Sequence, residues 1–467
     1  MPETYENAKR LGWLARQRDY FGRILRHRLG VDRAIGFTIL ARGWASFAGL
    51  ITVALIARFL TPAEQGYYYT FGSLIALQIV FELGFSFVIL QMASHERAHL
   101  TFSDDGAISG SPSAYARLAS VLQKTIRWYT AAAALLAAFL LAAGSHFFST
   151  YRHGGENVSW HIPWIAAALT ASLTFQLDPI LSFMEGCGFV ANIAHLRFTQ
   201  AMTGSSLAWL ALSVHHGLFA PAMIMAGNAC VASIWLFRRR RLLWPLLHYD
   251  PGLHRIRWMK EVWPFQWRIA VSWLSGYLIF QLYNPLLFAF RGAIEAGRMG
   301  MSLSLATALQ SVAYAWISTK AAPFGALIAR REYSALDTLF FRALRQSLAV
   351  CALGAFFAWA ATVAMNWMHI RFAQRLLSPT PLAFLLLIAI LNVIVFAQAI
   401  YLRAHKQEKF LLPSVIGAFL TACSAYFLGK HFGAFGMVSG NLLIGIFFGL
   451  PSGTFLFLKY RRIWHVE

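Results

Sequence analysis

Four ionisable side chains, Arg42, Glu82, Asp178 and Arg268, stand inside stretches of sequence that are otherwise almost free of charge. An ion at the centre of a bilayer costs about 2.5–3.5 kcal/mol on insertion scales, so such residues usually face a wet cavity or a partner. Residue counts put all four in one layer, roughly 9–14 Å from the same end of their stretches at 1.5 Å rise per residue. The guanidinium fork binds phosphate oxygens in pairs and stays charged at any relevant pH, so Arg42 and Arg268 suit an anionic headgroup. Glu82 and Asp178 would hold the arginines when no anion is present, or exchange a proton. Two plainer readings use the same residues: arginines that snorkel to the lipid surface, and structural Arg–acid ion pairs.

No other chemistry competes. The 15 histidines offer one His-x-x-x-His spacing, His95 and His99 around Glu96, and no metal site is expected of them; the four cysteines (Cys187, Cys230, Cys351, Cys423) show no paired spacing. A Gly-x-x-x-x-Gly-Lys phosphate loop is missing, so no nucleotide engine is expected. The expectation is a chain with no catalytic residues, no metal and no cofactor.

The elements that must position the four charges are long apolar blocks. Hydrophobic residues are 58% of the 467 and charged residues 13%, which excludes an ordinary water-soluble domain. About twelve stretches are long enough to cross a ~30 Å hydrocarbon slab as helices. They are 35–59, 67–91, 128–148, 163–184, 191–214 and 218–237, then 262–290, 299–319, 346–368, 381–402, 411–429 and 434–458. The fold class is therefore an all-α polytopic membrane protein. Its net charge of +21 invites a nucleic-acid reading, but placement argues otherwise. With both termini inside, about 31 basic residues fall on the cytoplasmic side and about 7 outside, as the positive-inside rule requires.

Four regions follow: a basic amphipathic segment over 1–34, a six-helix bundle over 35–237, a basic cytoplasmic linker over 238–261, and a second six-helix bundle with a short tail over 262–467. Leu11, Leu14, Phe21, Ile24, Leu25 and Arg28 recur at helical spacing, which reads as a helix lying on anionic lipids of the inner leaflet. Asn157-Val158-Ser159 matches a glycosylation sequon and carries little weight alone.

The halves share a plan. Glu64-Gln65-Gly66 and Glu295-Ala296-Gly297 each place an acid two residues before a glycine where a helix starts at the outer face. An acid complements the positive helix end and glycine permits a tight turn. With one arginine early in the first span of each half, this order indicates a parallel duplication. Asp178-Pro179 and Asn284-Pro285 predict kinks, because Pro179 and Pro285 lack a backbone donor; these kinks are gating points or static packing bends. Gln176, Gln200 and Gln281 suit sugar hydroxyls or interhelical contacts. Arg291, Glu295 and Arg298 cluster at the outer mouth, where Arg291 is a candidate exit contact for an anion or part of a solvated turn.

Leu60-Thr61-Pro62-Ala63-Glu64-Gln65-Gly66-Tyr67-Tyr68 resembles the first interhelical turn of bacterial polysaccharide flippases of the multidrug/oligosaccharidyl-lipid/polysaccharide exporter superfamily. Glu82-Leu83-Gly84-Phe85-Ser86 and Tyr401-Leu402-Arg403-Ala404 are similar to that group's habitual patterns. The likeness covers the whole transmembrane region in span count and order. The amphipathic amino terminus and a Ser/Gly/Asp-rich insert over 101–113, read as a flexible cytoplasmic loop, depart from it. The resemblance implies a non-enzymatic transporter in the bacterial cytoplasmic membrane. It would carry undecaprenyl-diphosphate-linked oligosaccharide between leaflets for O-antigen, capsule or exopolysaccharide synthesis, by alternating access. Arg42, Arg268 and Arg291 would then bind diphosphate. Its partners would be the polyprenyl-diphosphate-linked glycan, inner-leaflet anionic lipids, and a glycan polymerase or glycosyltransferases; nucleic acid is not among them. One rival is a multidrug or cation antiporter of the same superfamily, whose cavity would be rich in acids and aromatics. The other is a membrane glycan polymerase or ligase, which the short outer loops disfavour.

Overall fold

The computed structural model describes residues 33–102, 108–151, 158–261, 263–405, 407 and 409–466. The amphipathic segment, except its last two residues, lies outside the described residues, as does Asn157 of the sequon.

The first half comprises α1 (Arg33–Phe59), α2 (Pro62–Ile75), α3 (Gln78–Glu82) and α4 (Phe85–Arg97), then strands β1 (Leu100–Phe102) and β2 (Ile108–Gly110). Next come α5 (Pro112–Phe139), a π turn (Leu140–Gly144), α6 (Ser145–Thr150), α7 (His161–Gly186), α8 (Val190–Ser213) and α9 (Ala220–Arg238). Two linker helices follow, α10 (Arg240–His248) and α11 (Trp258–Glu261). The second half holds α12 (Trp263–Phe280), α13 (Tyr283–Arg291), α14 (Ala293–Ser318), α15 (Ala321–Ala329), α16 (Tyr333–Trp367), α17 (Pro379–Ala404), α18 (Leu411–Ile444) and α19 (Leu450–Val466).

Among the described residues, seven helical stretches are long and apolar enough to cross a membrane, and a bent pair, Pro62–Glu82 with Phe85–Arg97, supplies an eighth. One of the seven, Leu411–Trp464, is 54 residues long. As a straight helix it would reach about 80 Å, far beyond a ~30 Å slab. Gly433 divides it, with φ +60° inside the run that begins at Leu411. The remaining rods are α8, α12 with α13, and α14, and their polar residues (Arg197 and Gln200 in α8, Glu295 and Arg298 in α14) dilute the apolar run. The chain is a polytopic all-α membrane protein. Its outward faces carry large apolar side chains such as Leu135, Phe357, Phe419 and Phe447, as a lipid-facing surface does.

Packing sorts the rods into two bundles. In the first, α8 packs on α1 and α9, and α7 packs on α4, α5 and α9. In the second, α17 packs on α14, α16, α18 and α19, while α12 and α13 pack on α18. The main bridge is α2 against α14. It lies at the end bearing the α1–α2 and α13–α14 turns (the turn end), opposite the linker end.

The turn end is dense. Tyr67, Phe71, Phe148, Trp160, Trp164 and Phe288 are fully buried and in mutual ring contact, and Phe288 belongs to the second bundle. The π turn frees the Leu140 carbonyl, which accepts from the Trp164 indole at 3.1 Å. Gly144 lies flat against that indole: a Cβ there would come within 2.1 Å of the ring.

One expectation changes, and two others gain detail. The 101–113 insert is not a plain flexible loop, since its flanks pair as an antiparallel hairpin, Leu100 opposite Gly110 and Phe102 opposite Ile108. The interbundle linker is docked on the first bundle. The Gln123 amide donates to the carbonyls of Leu246, Leu247 and Tyr249, Lys124 donates to that of Ile256, and Arg117 bridges Glu96 and Glu261 at 2.7 Å each. Finally, the two prolines sit differently in their helices. Helix α7 runs unbroken through Pro179. Pro285 sits in the first turn of α13, and the chain breaks at Gln281–Leu282, four residues upstream, where the missing donor would have bonded.

Candidate functional site

A break in the second span builds the site. The span bends by 45° between α3 and α4. Leu83 and Gly84 both take left-handed backbone angles, φ +49° and +72°. For leucine this costs roughly 1–2 kcal/mol, which the surrounding packing must offset. Glu82 ends α3 and Ser86 lies in the first turn of α4, so the break turns the carboxylate into hydrogen-bonding reach of the Ser86 hydroxyl. Asp178, next to Pro179 on α7, lies in electrostatic reach of Glu82, and Arg197 on α8 is in reach of both acids. The buried Tyr129 ring of α5 adjoins the same group. Five helices of the first bundle (α3, α4, α5, α7 and α8) thus converge on two carboxylates, one guanidinium, a hydroxyl and a phenol.

Not all the residues that the sequence singles out join them. Glu82 and Asp178 come together. The cation beside them is Arg197, not Arg42. Arg42 is exposed and makes no ion pair among the described residues. It lies about 200° around α1 from Trp44, whose indole donates to Ser205 on α8 at 3.0 Å. Arg42 therefore projects from the face of α1 turned away from α8. The side chain of Arg268 lies outside the described residues. Arg197 carries the same sequence signal as the other four, a charge six residues into an apolar stretch at the same depth, and sequence reasoning missed it.

At the turn end Arg291 is exposed but not free. It donates to the carbonyls of His431 (2.6 Å) and Lys430 (3.4 Å), just before the Gly433 break. Glu295 accepts from the Ala434 N–H at 2.6 Å, just after it. The two side chains staple one turn from both sides. Arg298 donates to the Gln374 carbonyl at 2.9 Å. Gln200 donates to the Asn228 carbonyl and Gln176 to the Thr130 hydroxyl, so both link helices within the first bundle.

Hydrogen bonds between the bundles cluster from the turn end to mid-depth among the described residues. Gln65 reaches Gly297 and Arg375, and Arg375 reaches Leu60. Deeper in, Tyr277 and Asn284 donate to Ser73 at 3.3 and 3.1 Å. This is an arrangement closed at the turn end.

Neither a protein-family model nor a curated protein matches the sequence. Solved structures do match in shape. An inward-facing multidrug-resistance MATE-family transporter of the MOP superfamily superposes with a TM-score of 0.61 over 91% of this chain and 99% of that one, at 15% identity. The lipid II flippase MurJ, in an inward closed conformation, gives 0.57 over 92% and 90%, at 14% identity. The fold is that of these transporters. A eukaryotic MATE transporter extends the likeness, with a TM-score of 0.53 over 95% of this chain and 99% of its own, at 12% identity. These neighbours are transporters or flippases and not enzymes, and a multi-pass membrane protein accords with them.

Proposed function

We propose that the protein translocates undecaprenyl-diphosphate-linked glycan units across a bacterial cytoplasmic membrane, with both termini cytoplasmic, for O-antigen, capsule or exopolysaccharide synthesis. One observation carries this reading: three arginines, Arg42, Arg197 and Arg268, occupy the linker-end half of membrane rods, against two carboxylates that already have Arg197 in reach. An excess of guanidinium at that depth favours a phosphate-bearing cargo over a cationic one. Arg42, free of ion pairs among the described residues, is the first contact for diphosphate, and Arg268 the second. Glu82 and Asp178 hold Arg197 while the cargo is absent. The break at Leu83–Gly84 and the break upstream of Pro285 are the bending points, one in each bundle. Partners of this reading are inner-leaflet anionic lipids at the basic linker-end surface, and the glycosyltransferases or polymerase that make and use the glycan.

A second reading, cation or multidrug antiport, draws on the carboxylate pair beside Tyr129, a group that suits a proton or an organic cation. One experiment separates them. In a strain lacking the protein, lipid-linked glycan accumulates in the inner leaflet, and the Arg42→Ala, Arg197→Ala and Arg268→Ala variants fail to restore export. Normal glycan export in that strain, with heightened sensitivity to cationic drugs, would replace the first reading by the second.

A further inference from the structure

The turn end is held shut by a reciprocal contact. Gln65 is buried, and its amide donates to the carbonyls of Gly297 (2.8 Å) and Arg375 (3.0 Å) on the second bundle. Arg375 reaches back, donating to the Leu60 carbonyl at 2.5 Å and to Gln65 Oε1 at 3.4 Å on the first bundle. Among the described residues no carboxylate lies within ion-pair distance of Arg375; Glu64 is in its electrostatic reach but is tied to the Thr61 N–H at 2.8 Å.

The ownership of these groups decides what happens when the bundles part. The turn Arg371–Arg375 is fixed to the second bundle, because Arg298 holds the Gln374 carbonyl and Ser302 accepts from the Leu377 N–H at 3.0 Å. Leu60, Glu64 and Gln65 belong to the first. Separation strips Arg375 of every acceptor that the contact gives it and carries Glu64 away. A guanidinium then stands at the mouth of the opened cleft, and groups of this kind demand replacement oxygens. Arg291, at the same end, behaves differently: its acceptors at residues 430 and 431 lie in its own bundle and stay with it.

We propose that Arg375 is half of the latch that closes the turn end and, once the latch opens, a binding site for the phosphate groups of the departing cargo. The site rests on the phosphate-bearing cargo argued above. Exchange of carbonyl oxygens for phosphate oxygens gives the anion a higher affinity for the open arrangement, so its arrival at this end favours opening.

Spin labels at Val214→Cys and Met368→Cys, in a background without the four native cysteines and in phosphatidylcholine nanodiscs, read the distance across the turn end. Gln65→Ala raises the ratio of open to closed populations about tenfold, the order expected for one or two net hydrogen bonds. Inorganic pyrophosphate, against chloride at equal ionic strength, shifts wild type and Gln65→Ala toward the open distance. Arg375→Gln loses that response and Arg375→Lys keeps part of it, with unchanged thermal melting as the check on folding. An equal pyrophosphate response in Arg375→Gln would overturn the anion site. Unchanged populations in Gln65→Ala would overturn the latch. A full shift produced by adding phosphatidylglycerol without pyrophosphate would assign the site to bilayer lipid and overturn the cargo role. Glycan export that depends on Arg42 and Arg268 with no pyrophosphate response refutes this site alone. The response without any export phenotype refutes the cargo reading.

Discussion

Gly66→Ala tests the closed arrangement most sharply. A Cβ at residue 66 would sit 1.9 Å from the Ala293 carbonyl oxygen and 2.5 Å from its carbon, both backbone atoms of the other bundle. Ordinary contact begins near 3.4 Å, so α2 and α14 must separate by about 1.5 Å. That displacement stretches the 2.8 Å bond from Gln65 to Gly297 to about 4 Å and breaks it. Two amide bonds of about 1 kcal/mol each are lost, and a buried amide left unsatisfied costs about 1–3 kcal/mol more. A total of about 3–5 kcal/mol moves the equilibrium between closed and open turn ends by roughly two to four powers of ten. The spin-label distance across Val214 and Met368 reports it directly. Gly72→Ala, on the same helix, is the control: a Cβ there would meet nothing within 4 Å, and the distance stays unchanged. Equal behaviour of the two variants would refute the argument that backbone contact at residue 66 sets the closed state.

Other outcomes follow from the same geometry. Gly144→Ala drives a methyl into the Trp164 indole and lowers thermal stability by about 2–3 kcal/mol, read as a fall in melting temperature in detergent. Arg197→Met leaves Glu82 and Asp178 without their cation and cuts transport more than about tenfold; adding Asp178→Asn restores part of it, which a transport assay in vesicles checks. Linker docking depends on acid. Burial opposes ionisation of Glu261, but the Arg117 guanidinium and the Arg257 N–H outweigh it and hold the carboxyl below its usual range. The stabilisation is therefore complete above the unfolded value near 4.3 and is lost as pH falls through the lower folded value. Hydrogen exchange over residues 249–258 should show constant protection above about pH 5, falling protection below about pH 4, and a flatter profile in Glu261→Gln.

The architecture was legible because lipid leaves few options: apolar stretches of one helix length specify rods. The breaks were less so. Pro285 announced its break through chemistry, since a missing donor has a fixed consequence four residues upstream. The Leu83–Gly84 break had only a glycine to signal it, and Leu83 is a residue that the left-handed region disfavours. The 101–113 hairpin was hidden by a composition typical of flexible loops, and the linker's docking by its positive charge. For the site, burial depth put Glu82 and Asp178 in one layer correctly, but depth says nothing of azimuth. Arg42 shares the layer and projects from another face, whereas Arg197 shares both depth and direction.

The duplicated turns show what a sequence repeat can mean in three dimensions. Parallel halves are related by an axis along the membrane normal, so equivalent residues near that axis meet each other. Gly66 and Gly297 do so: a Cβ on Gly297 would come within 2.8 Å of the Gly66 nitrogen, just as one on Gly66 would strike Ala293. Each glycine is required because its counterpart's backbone occupies the space. The neighbouring acids lie farther from that contact and have diverged. Glu64 closes a capping box with Thr61 on its own helix, while Glu295 caps the helix beginning at Ala434. Between acid and glycine the halves differ outright, with Gln65 in one and Ala296 in the other. A symmetric pair of glutamines would compete for one space at the axis; a single Gln65 can take carbonyls from the opposite bundle and leave Arg375 to return the bond. The asymmetry at that position is thus what allows a close-packed, duplicated contact to open as a latch.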